Sequence, residues 1–245
     1  MPMGITRNGM LIRSIDTVSK GDVIVLQWED TSLLEPNGNL CVPIAFENEN
    51  LVVFNKPCGM PVHPSIKHQG DTLGNYFAFL YPDLCFRPVN RLDRDTSGLC
   101  LVAKNAHSAN RLQGNAHKTY YAVVEGDTPE YGTIDAPIAR ERESIILRCV
   151  REDGQSAVTH YKKLKYANDF SLEEIRLETG RTHQIRVHFS HIGFPLAGDD
   201  MYGGGTQFIA RQALHCGKLT FAEPVTNEEI TVTAELPQDM LSLIE

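Results

Sequence analysis

The sequence predicts an α+β domain with a mixed or largely antiparallel sheet. Short apolar runs with strand character follow one another along most of the chain, and helical patterns fall between them without the strict alternation of an α/β fold. With 245 residues, of which 42% are hydrophobic, the chain is long enough to bury one large core and carry a small appendage. It contains no internal repeat and no low-complexity segment.

Residues 1–38 are predicted to form a small β-rich segment ahead of the main domain. The stretch RNGML holds an Asn-Gly hairpin signal, and SKGDVIVLQ is a turn that leads into an apolar strand. The segment is too short to bury a core alone. The stretch EPNGNL at 35–40 combines Pro, Asn and Gly and is the predicted linker to a main domain over 42–245.

In the main domain the hydrophobic spacing predicts strands and helices in mixed order. The predictions are a strand at 51–59, a helix at 71–81 capped by Asp71, a strand at 99–104, a helix at 106–114, a strand at 119–126, two strands at 157–167 and 170–180, and a last helix within 179–193 that is capped by Thr182 and followed by Gly193.

The charge of the chain is unevenly distributed. The net charge is −8, which by itself does not favour a nucleic-acid partner. Residues 1–50 carry three basic and seven acidic side chains, and residues 227–245 carry five acidic and no basic ones. The stretch 51–226 therefore holds 20 basic and 19 acidic side chains together with all nine histidines. Such a stretch presents a basic groove if its acids face elsewhere.

Cysteine usage and hydropathy favour a soluble, cytoplasmic protein. The six cysteines include no C-x-x-C pair, which argues against a zinc ribbon and a disulfide framework. No run approaches eighteen apolar residues, and the first residues, MPMGITRNGM, do not have the pattern of a signal peptide. We therefore expect no membrane association.

Several catalytic motifs are absent. Neither G-x-x-x-x-G-K-[ST] nor G-x-G-x-x-G occurs, so no nucleotide cofactor is indicated, and there is no G-x-S-x-G. His183, His188 and His191 are crowded, but five and eight residues apart on a helix they do not stack as metal ligands do. Asp93 and Asp95 are close in sequence, which is weak evidence for a glycosidase pair, since such carboxylates usually come from separate elements. We predict neither a metal nor a cofactor.

What remains is a set of arginine, aspartate and tyrosine side chains at the ends of predicted elements. Arg91 and Asp93 lie in VNRLDRDTSG, Tyr120 begins a strand, and Arg181 and Arg186 flank the start of the last helix. Taken singly, these residues are more typical of structural roles, a surface ion pair for Arg91 or Arg186 and a core aromatic for Tyr120. Together they suit a reactive carboxylate kept ionised by arginine, a ring on which a base stacks, and cations for phosphates.

The sequence resembles the RluA branch of RNA pseudouridine synthases over nearly all of residues 42–226. Four blocks match in order: LVVFNKPCGMPVHPS (51–65), NRLDRDTSGLCLVAKN (90–105), KTYYAVVEG (118–126) and LETGRTHQIRVHFSHIGFPLAGDDMYGG (177–204). The resemblance implies a pseudouridine synthase fold: a mixed, mainly antiparallel sheet with flanking helices and a central RNA-binding cleft. Asn90 stands where the family commonly has His. The change is expected to be tolerated, because the Asn side chain, like His, offers one hydrogen-bond donor group and one acceptor.

The resemblance also implies residue roles. Asp93 falls on the nucleophile of the family, Tyr120 and Leu177 fall on the residues that receive the base, and Arg186 falls on the arginine of H-Q-I-R. With Arg91, Arg186 is expected to keep Asp93 ionised and oriented, and Arg186 is expected to pair with Asp93 in the RNA-free enzyme. Four side chains are expected to contact phosphates: Arg111, Lys118, Arg181 and His183.

The implied reaction is the isomerisation of uridine to pseudouridine in ribosomal or transfer RNA, without metal or cofactor, by a chain expected to act as a monomer. Asp93 would attack the sugar, attack the ring, or remove a sugar proton to give a glycal; the sequence leaves these three open. Residues 1–38 resemble the last strands of a small RNA-binding domain. A non-catalytic RNA-binding protein of the same fold is the alternative, and a histidine-dependent metallohydrolase is a third.

Overall fold

The structure is a computed structural model that describes residues 4–13, 15–27, 34–142 and 146–245. Residues 1–3, 14 and 28–33 of the predicted N-terminal segment therefore lie outside the described residues. The elements of the described part are, in order, β1 (Gly4–Arg7), β2 (Met10–Ile12), β3 (Ile24–Gln27), β4 (Ile44–Glu47), β5 (Leu51–Lys56), α1 (Leu73–Leu80), β6 (Arg87–Pro88), β7 (Ser97–Ala103), α2 (Ala106–Leu112), β8 (His117–Glu125), β9 (Tyr131–Asp135), β10 (Ile138–Arg140), β11 (Arg148–Val150), β12 (Val158–Ala167), β13 (Phe170–Leu177), α3 (Gln184–His191), a 3-10 helix (Asp200–Tyr202), β14 (Leu214–Ala222), β15 (Glu229–Thr233) and α4 (Gln238–Leu241).

A ten-stranded mixed sheet forms the main body. Its strands run in the order β4-β5-β7-β14-β8-β13-β12-β9, with β15 also beside β14 and β6 also beside β7. Strand β14 pairs with β7 in parallel, whereas β5–β7, β14–β8, β8–β13 and β13–β12 are antiparallel. The predicted mixed, mainly antiparallel sheet of an α+β fold is confirmed.

The core lies on the central strands of this sheet. Every residue of β7 is buried, and its run LCLVA is apolar without alternation, as expected for a strand covered on both faces. Helix α3 packs its Phe189 ring against Tyr161 of β12, with ring centroids 5.3 Å apart. This packing fixes α3 across the sheet, and the position of α3 matters for the site below.

The first three strands form a separate small sheet in the order β2-β1-β3. Asn8 and Gly9, with φ of 52° and 82°, make the predicted hairpin turn between β1 and β2. This sheet and its connecting loops leave many apolar side chains exposed: Met10, Leu11, Ile15, Val18, Val23, Ile24 and Val25. The first residue of the predicted linker contacts α1, because Asn75 Nδ2 of α1 donates to the Glu35 carbonyl at 2.7 Å.

Two predicted helix caps are wrong. Helix α1 is capped by Thr72, whose Oγ1 accepts from the Asn75 amide at 3.3 Å, because the Asp71 carboxylate is instead engaged by His68 at 2.6 Å. Helix α3 begins after His183 rather than Thr182, since His183 adopts a left-handed φ of 57°. The predicted end of α3 is confirmed. No helix in the described residues is long and apolar enough to cross a membrane.

Candidate active site

The loop between β6 and β7 presents Asp93 to a cleft. The Thr96 amide donates to the Asp93 carbonyl at 3.2 Å, which closes the turn just before β7. Gly98, with φ of 109°, follows in β7, and a Cβ at this position would lie 2.3 Å from the Cys216 carbonyl oxygen. Only glycine allows β7 and β14 to approach this closely, so the end of the loop is fixed by the sheet.

Two buried side chains, Lys56 and Asn90, hold the loop between β6 and β7. Lys56 Nζ donates to the carbonyl oxygens of Pro57, Met60 and Arg94 at 2.9, 2.7 and 3.0 Å. Burial lowers the pKa of Lys56 to about 8. Asn90 donates to the Leu99 carbonyl at 3.1 Å and accepts from the Leu101 amide at 2.8 Å, so it uses both its donor and its acceptor as expected.

A pocket with about 390 Å³ of empty volume opens beside Asp93. Tyr120 of β8 and Leu177 at the end of β13 line it, together with Arg186 of α3. The antiparallel pairing of β8 and β13 sets Tyr120 opposite Ile175, which places Tyr120 and Leu177 on the same face of neighbouring strands. Arg91 lines the pocket as well, so the structure brings together all five residues that the sequence assigned to catalysis and substrate binding.

The carboxylate of Asp93 is held through one oxygen. Arg186 Nη1 donates to Asp93 Oδ2 at 3.2 Å, and His183 Nε2 lies 3.7 Å from the same oxygen. In the described part of the chain no hydrogen bond reaches Oδ1, and the side chain of Asp93 is 30% exposed. The expected pairing of Arg186 with Asp93 is present in the RNA-free structure.

Arg186 is itself clamped by a second carboxylate. Its Nε and Nη2 donate to the two oxygens of Asp199 at 2.7 and 2.8 Å, and its guanidinium lies 4.9 Å from the centre of the Tyr202 ring. Burial lowers the pKa of Arg186, but Asp199 and Asp93 outweigh that effect and raise it. Arg186 is therefore a permanent cation in a site where only 6% of its side chain is exposed.

His183 lies against Asp93 rather than at the surface. Its Nδ1 is 2.8 Å from the hydroxyl oxygen of Tyr202, and its side chain is 9% exposed. Burial lowers the pKa of His183, and the charges of Arg186 and Arg148 lower it further against the opposing effect of Asp93. A neutral, largely buried imidazole is a poor phosphate ligand, so this geometry does not support the predicted phosphate role.

Arg91 does not hold Asp93 as predicted. Among the described residues Arg91 makes no hydrogen bond or ion pair with Asp93, and its exposed side chain lines the cleft. The charge that faces Asp93 comes from α3, because the fold brings Arg186 to the loop from 93 residues away in sequence.

Tyr120 offers a ring and a neutral hydroxyl. The side chain is buried, with a relative exposure of 7%. Burial raises the pKa of Tyr120 well above its ordinary range, and the nearby acidic groups Cys216 and Asp93 raise it further. The hydroxyl therefore stays protonated at physiological pH and does not act as a base.

A basic groove extends outward from the pocket. Among the residues that line it are six lysine or arginine side chains (Arg91, Arg94, Lys118, Arg176, Arg181 and Lys218) and two carboxylates (Asp93 and Glu178). Arg94 and Arg176 are engaged by Asp95 and Glu174. The acidic chain thus presents a basic surface around Asp93, as the charge distribution allowed.

Three of the four predicted phosphate contacts, Lys118, Arg181 and the largely buried His183, line this groove, and Arg111 does not. Lys118 Nζ donates to the Ala116 carbonyl at 3.1 Å and Arg181 Nε donates to the Ser156 carbonyl at 2.9 Å. Arg111 donates to the side chain of Asn227 instead. Helix α2 places Arg111 away from the lining, so the structure does not support its predicted phosphate contact.

The three histidines near α3 do not converge. His188 is buried and bonded on both ring nitrogens, to Thr159 Oγ1 at 2.8 Å and to the Ala136 carbonyl at 2.9 Å. It is a core histidine with its polar atoms satisfied. No group of three or more metal-ligating side chains is found among the residues that the structure describes.

Three functional side chains were missed by sequence reasoning. Lys56, Asp199 and Tyr202 all lie within the blocks LVVFNKPCGMPVHPS and GDDMYGG that carry the resemblance. Their only signal was a charged or hydroxyl-bearing side chain within an otherwise apolar or glycine-rich stretch. Their partners, however, are set by tertiary contacts that spacing does not reveal.

An ionised carboxylate, an aromatic pocket and a basic groove are typical of an enzyme that acts on RNA, and comparison with known proteins gives the family. Residues 50–191 match the model for RNA pseudouridylate synthase. The uncharacterized RNA pseudouridine synthase YjbO of Bacillus subtilis (strain 168) is 41% identical over 97% of this chain and 88% of its own length. The chain belongs to the RNA pseudouridylate synthase family and is an isomerase that acts on uridine in RNA.

Further relatives agree. Ribosomal large subunit pseudouridine synthase D of Pseudomonas aeruginosa is 36% identical over 98% of this chain and 82% of its own length. The solved structure of human RNA Pseudouridylate Synthase Domain Containing 1 superposes with a TM-score of 0.69 at 27% identity, and the match covers 86% of this chain and 89% of that one. The fold expected from the sequence is thereby confirmed.

Proposed function

We propose that this chain isomerises uridine in ribosomal RNA and that Asp93 is the group that reacts with the substrate. The observation that carries this proposal is the arrangement of the Asp93 carboxylate, which lines the pocket: Oδ2 is held by Arg186, and Oδ1 receives no hydrogen bond from the described residues. A carboxylate fixed through one oxygen presents the other to a bound nucleoside in a defined orientation.

The chemistry needs no external reagent. The bond from N1 of uracil to C1′ of ribose breaks, a bond from C5 to C1′ forms, and a proton leaves C5 while N1 gains one. Substrate and product therefore have the same composition. Attack of Asp93 on the sugar, attack on the ring, and removal of a sugar proton all require an ionised carboxylate. Arg186 places a positive charge beside it, with Nη1 at 3.2 Å from Oδ2.

The base binds against the side chains of Tyr120 and Leu177. A uridine in structured RNA must leave its stack to reach the pocket, at a cost of a few kcal/mol. The Tyr120 ring supplies a stacking surface and Leu177 supplies apolar contact on the same side of the cleft. These contacts recover part of that cost.

The groove holds the RNA backbone. Arg91, Lys118, Arg181 and Lys218 line it and make no ion pair within the described residues. Phosphate contacts of this type fix the position of the RNA and set affinity, whereas the choice of uridine depends on the shape of the RNA around it.

Ribosomal RNA is the proposed substrate because close relatives are named ribosomal large subunit pseudouridine synthase D. Transfer RNA is the alternative. Action on ribosomal RNA would place the enzyme in the cytoplasm, and we propose that it works as a monomer. We also propose that residues 1–38 are a separate N-terminal segment, the remnant of an RNA-binding domain, because their small sheet pairs only within itself in the described part.

The proposal is tested by mapping pseudouridines in total RNA. The comparison uses a parent strain, a strain that lacks this gene, and the deletion strain complemented with wild type or Asp93→Asn. We expect one or more ribosomal sites to disappear on deletion, to return with wild type, and to stay absent with Asp93→Asn. Loss of transfer RNA sites instead would redirect the substrate. Full restoration by Asp93→Asn would refute the role of Asp93 and favour the alternative of a non-catalytic RNA-binding protein.

A further inference from the structure

Both groups that touch Asp93 Oδ2 are themselves fixed from one short segment. This segment, the 199–202 turn, consists of Asp199 and the 3-10 helix Asp200–Tyr202. Asp199 binds Arg186 through both of its oxygens, and the Tyr202 hydroxyl lies 2.8 Å from His183 Nδ1. The two contacts to the reacting carboxylate thus share a single support.

We infer that the 199–202 turn is the positioning element of the active site: Asp199 orients Arg186, Tyr202 orients His183, and together they hold Asp93 by one oxygen only. This inference rests on the proposed role of Asp93. Neither Asp199 nor Tyr202 contacts the substrate in this account; each acts through the residue that it holds.

Asp199 occupies two of the three guanidinium nitrogens of Arg186. Nε and Nη2 face Asp199 at 2.7 and 2.8 Å, which leaves only Nη1 for Asp93 at 3.2 Å. A guanidinium free to turn would form the usual two-bonded pair with Asp93. Such a pair would engage Oδ1 as well as Oδ2, and the oxygen needed for reaction would no longer be available.

Tyr202 sets which nitrogen of His183 carries the proton. The Tyr202 oxygen accepts from the Arg148 backbone amide at 3.1 Å, and its own proton then has His183 Nδ1 as acceptor. Burial raises the pKa of Tyr202, so the hydroxyl keeps this proton. His183 Nδ1 therefore carries no proton. The single ring proton is on Nε2, which faces Asp93 Oδ2.

The turn is rigidly built. Its backbone closes through Tyr202 N to Asp199 O at 3.0 Å, and Ser190 Oγ of α3 donates to the Tyr202 carbonyl at 2.7 Å. At Gly204, just beyond the turn, a Cβ would lie 1.9 Å from the Leu196 carbonyl oxygen. The left-handed φ of 57° at His183 is an uncommon conformation that these surroundings maintain.

The test compares kcat and KM of purified variants on total RNA labelled with tritium at C5 of uracil, taken from a strain that lacks the enzyme. Release of tritium reports the reaction, because C5 loses its hydrogen. For Asp199→Asn and Tyr202→Phe we expect kcat to fall about 10- to 100-fold, as for misplacement of a reacting group, while KM and the melting temperature change little. The matched control is Asp83→Asn, which removes the same charge from an exposed residue outside the turn, the pocket and the groove and should leave kcat unchanged.

A second readout does not depend on activity. The ¹⁵N shifts of the His183 ring should show a protonated Nε2 and a bare Nδ1 in the wild type, and this signature should be lost in Tyr202→Phe. A protonated Nδ1 in the wild type would overturn the inference. So would wild-type kcat in both variants while Asp93→Asn is inactive. Turnover by Asp93→Asn would instead overturn the proposed function on which the inference rests.

Discussion

At the scale of single residues, the site depends on how Arg186 is shared between the carboxylates of Asp93 and Asp199. Asp93 receives a charged donor and lies beside a neutral imidazole at the same oxygen, at 3.2 and 3.7 Å. The positive charge of Arg186 is in turn shared with Asp199. A reactive group held in this way keeps its orientation without being neutralised by a complete ion pair.

Tyr120 should act mainly through its ring. The hydroxyl is a buried, neutral group, and no hydrogen bond to it is found in the described residues. We therefore expect Tyr120→Phe to bind RNA normally and to keep at least part of the turnover, whereas Tyr120→Ala should lose ~1–3 kcal/mol of stacking with the base and most of the activity.

The measurement is the rate of pseudouridine formation together with the RNA dissociation constant for each Tyr120 variant. A melting curve must accompany the Ala variant, because Tyr120 also belongs to the core. If Phe and Ala were equally inactive while both remained folded, the hydroxyl would be the essential part and the stacking role would be wrong.

Sequence reasoning placed Asp93 and Arg186 in one site but did not find the side chains that hold them. The contact between Arg186 and Asp93 was expected because Arg186 lies next to the apolar stripe of its helix, and the side chain is indeed buried. The roles of Asp199 and Tyr202 could not be predicted, since they depend on where the segment after α3 returns to the cleft. Arg91 was overestimated because closeness to Asp93 in sequence does not mean contact in a turn.

At the scale of elements, the strands that were predicted match the structure more closely than the predicted helix caps do, although β9, β14 and β15 were not predicted. Alternating and continuous apolar runs locate β5, β7, β8, β12 and β13 close to their observed bounds. The caps of α1 and α3 were wrong because hydrophobic spacing does not show the contacts that polar side chains make just before each helix. Asp71 was taken by His68, and Gln184 Oε1 accepts from the Arg181 amide at 2.9 Å.

Strand β13 also carries a buried carboxyl that should make stability depend on pH. Glu173 is fully buried, its Oε1 accepts from Thr128 Oγ1, and its Oε2 has no partner. Burial raises the pKa of Glu173 to about 7, against the lowering effects of the Thr128 hydrogen bond and the Lys163 charge. Between the ordinary carboxyl pKa and this value, the folded protein keeps a proton that the unfolded chain has released.

The free energy of unfolding should therefore fall as pH rises through this interval. Glu173→Gln removes the titration, so the variant should gain stability relative to wild type by about 1–3 kcal/mol between pH 5 and pH 8. Urea unfolding at the two pH values measures this difference. The control is Glu174→Gln, which affects only a pair with Arg176 at the surface. A difference between wild type and Glu173→Gln that is the same at both pH values would contradict the prediction.

At the scale of the whole molecule, an acidic protein presents a basic groove. The net charge is −8, yet the lining of the groove contains six lysine or arginine side chains and two carboxylates. The excess of negative charge lies in the two terminal stretches, 1–50 and 227–245, whereas basic and acidic side chains nearly balance in 51–226, which contains the blocks that build the cleft. Local charge, rather than net charge, governs the encounter with RNA.

Neutralising one groove cation should reduce the salt dependence of RNA binding. Lys218 lies on β14 in the groove, so Lys218→Gln should weaken binding and lower the slope of log Kd against log salt by about one. Lys165→Gln is the control, because Lys165 is exposed on β12 and lies outside the groove. Equal slopes for wild type and Lys218→Gln would show that this part of the groove does not contact the backbone.

The central claim is that the Asp93 carboxylate carries out the reaction, and single-turnover kinetics of Asp93→Asn test it most directly. The enzyme in excess over tritium-labelled total RNA, with chelator present and no added nucleotide, should release tritium in the wild type and in the control Asp95→Asn, whose parent side chain pairs with Arg94 at the surface. Asp93→Asn should bind RNA with nearly the wild-type affinity and release no tritium, because an amide is neither a nucleophile nor a base here. Measurable tritium release by folded Asp93→Asn would contradict the account.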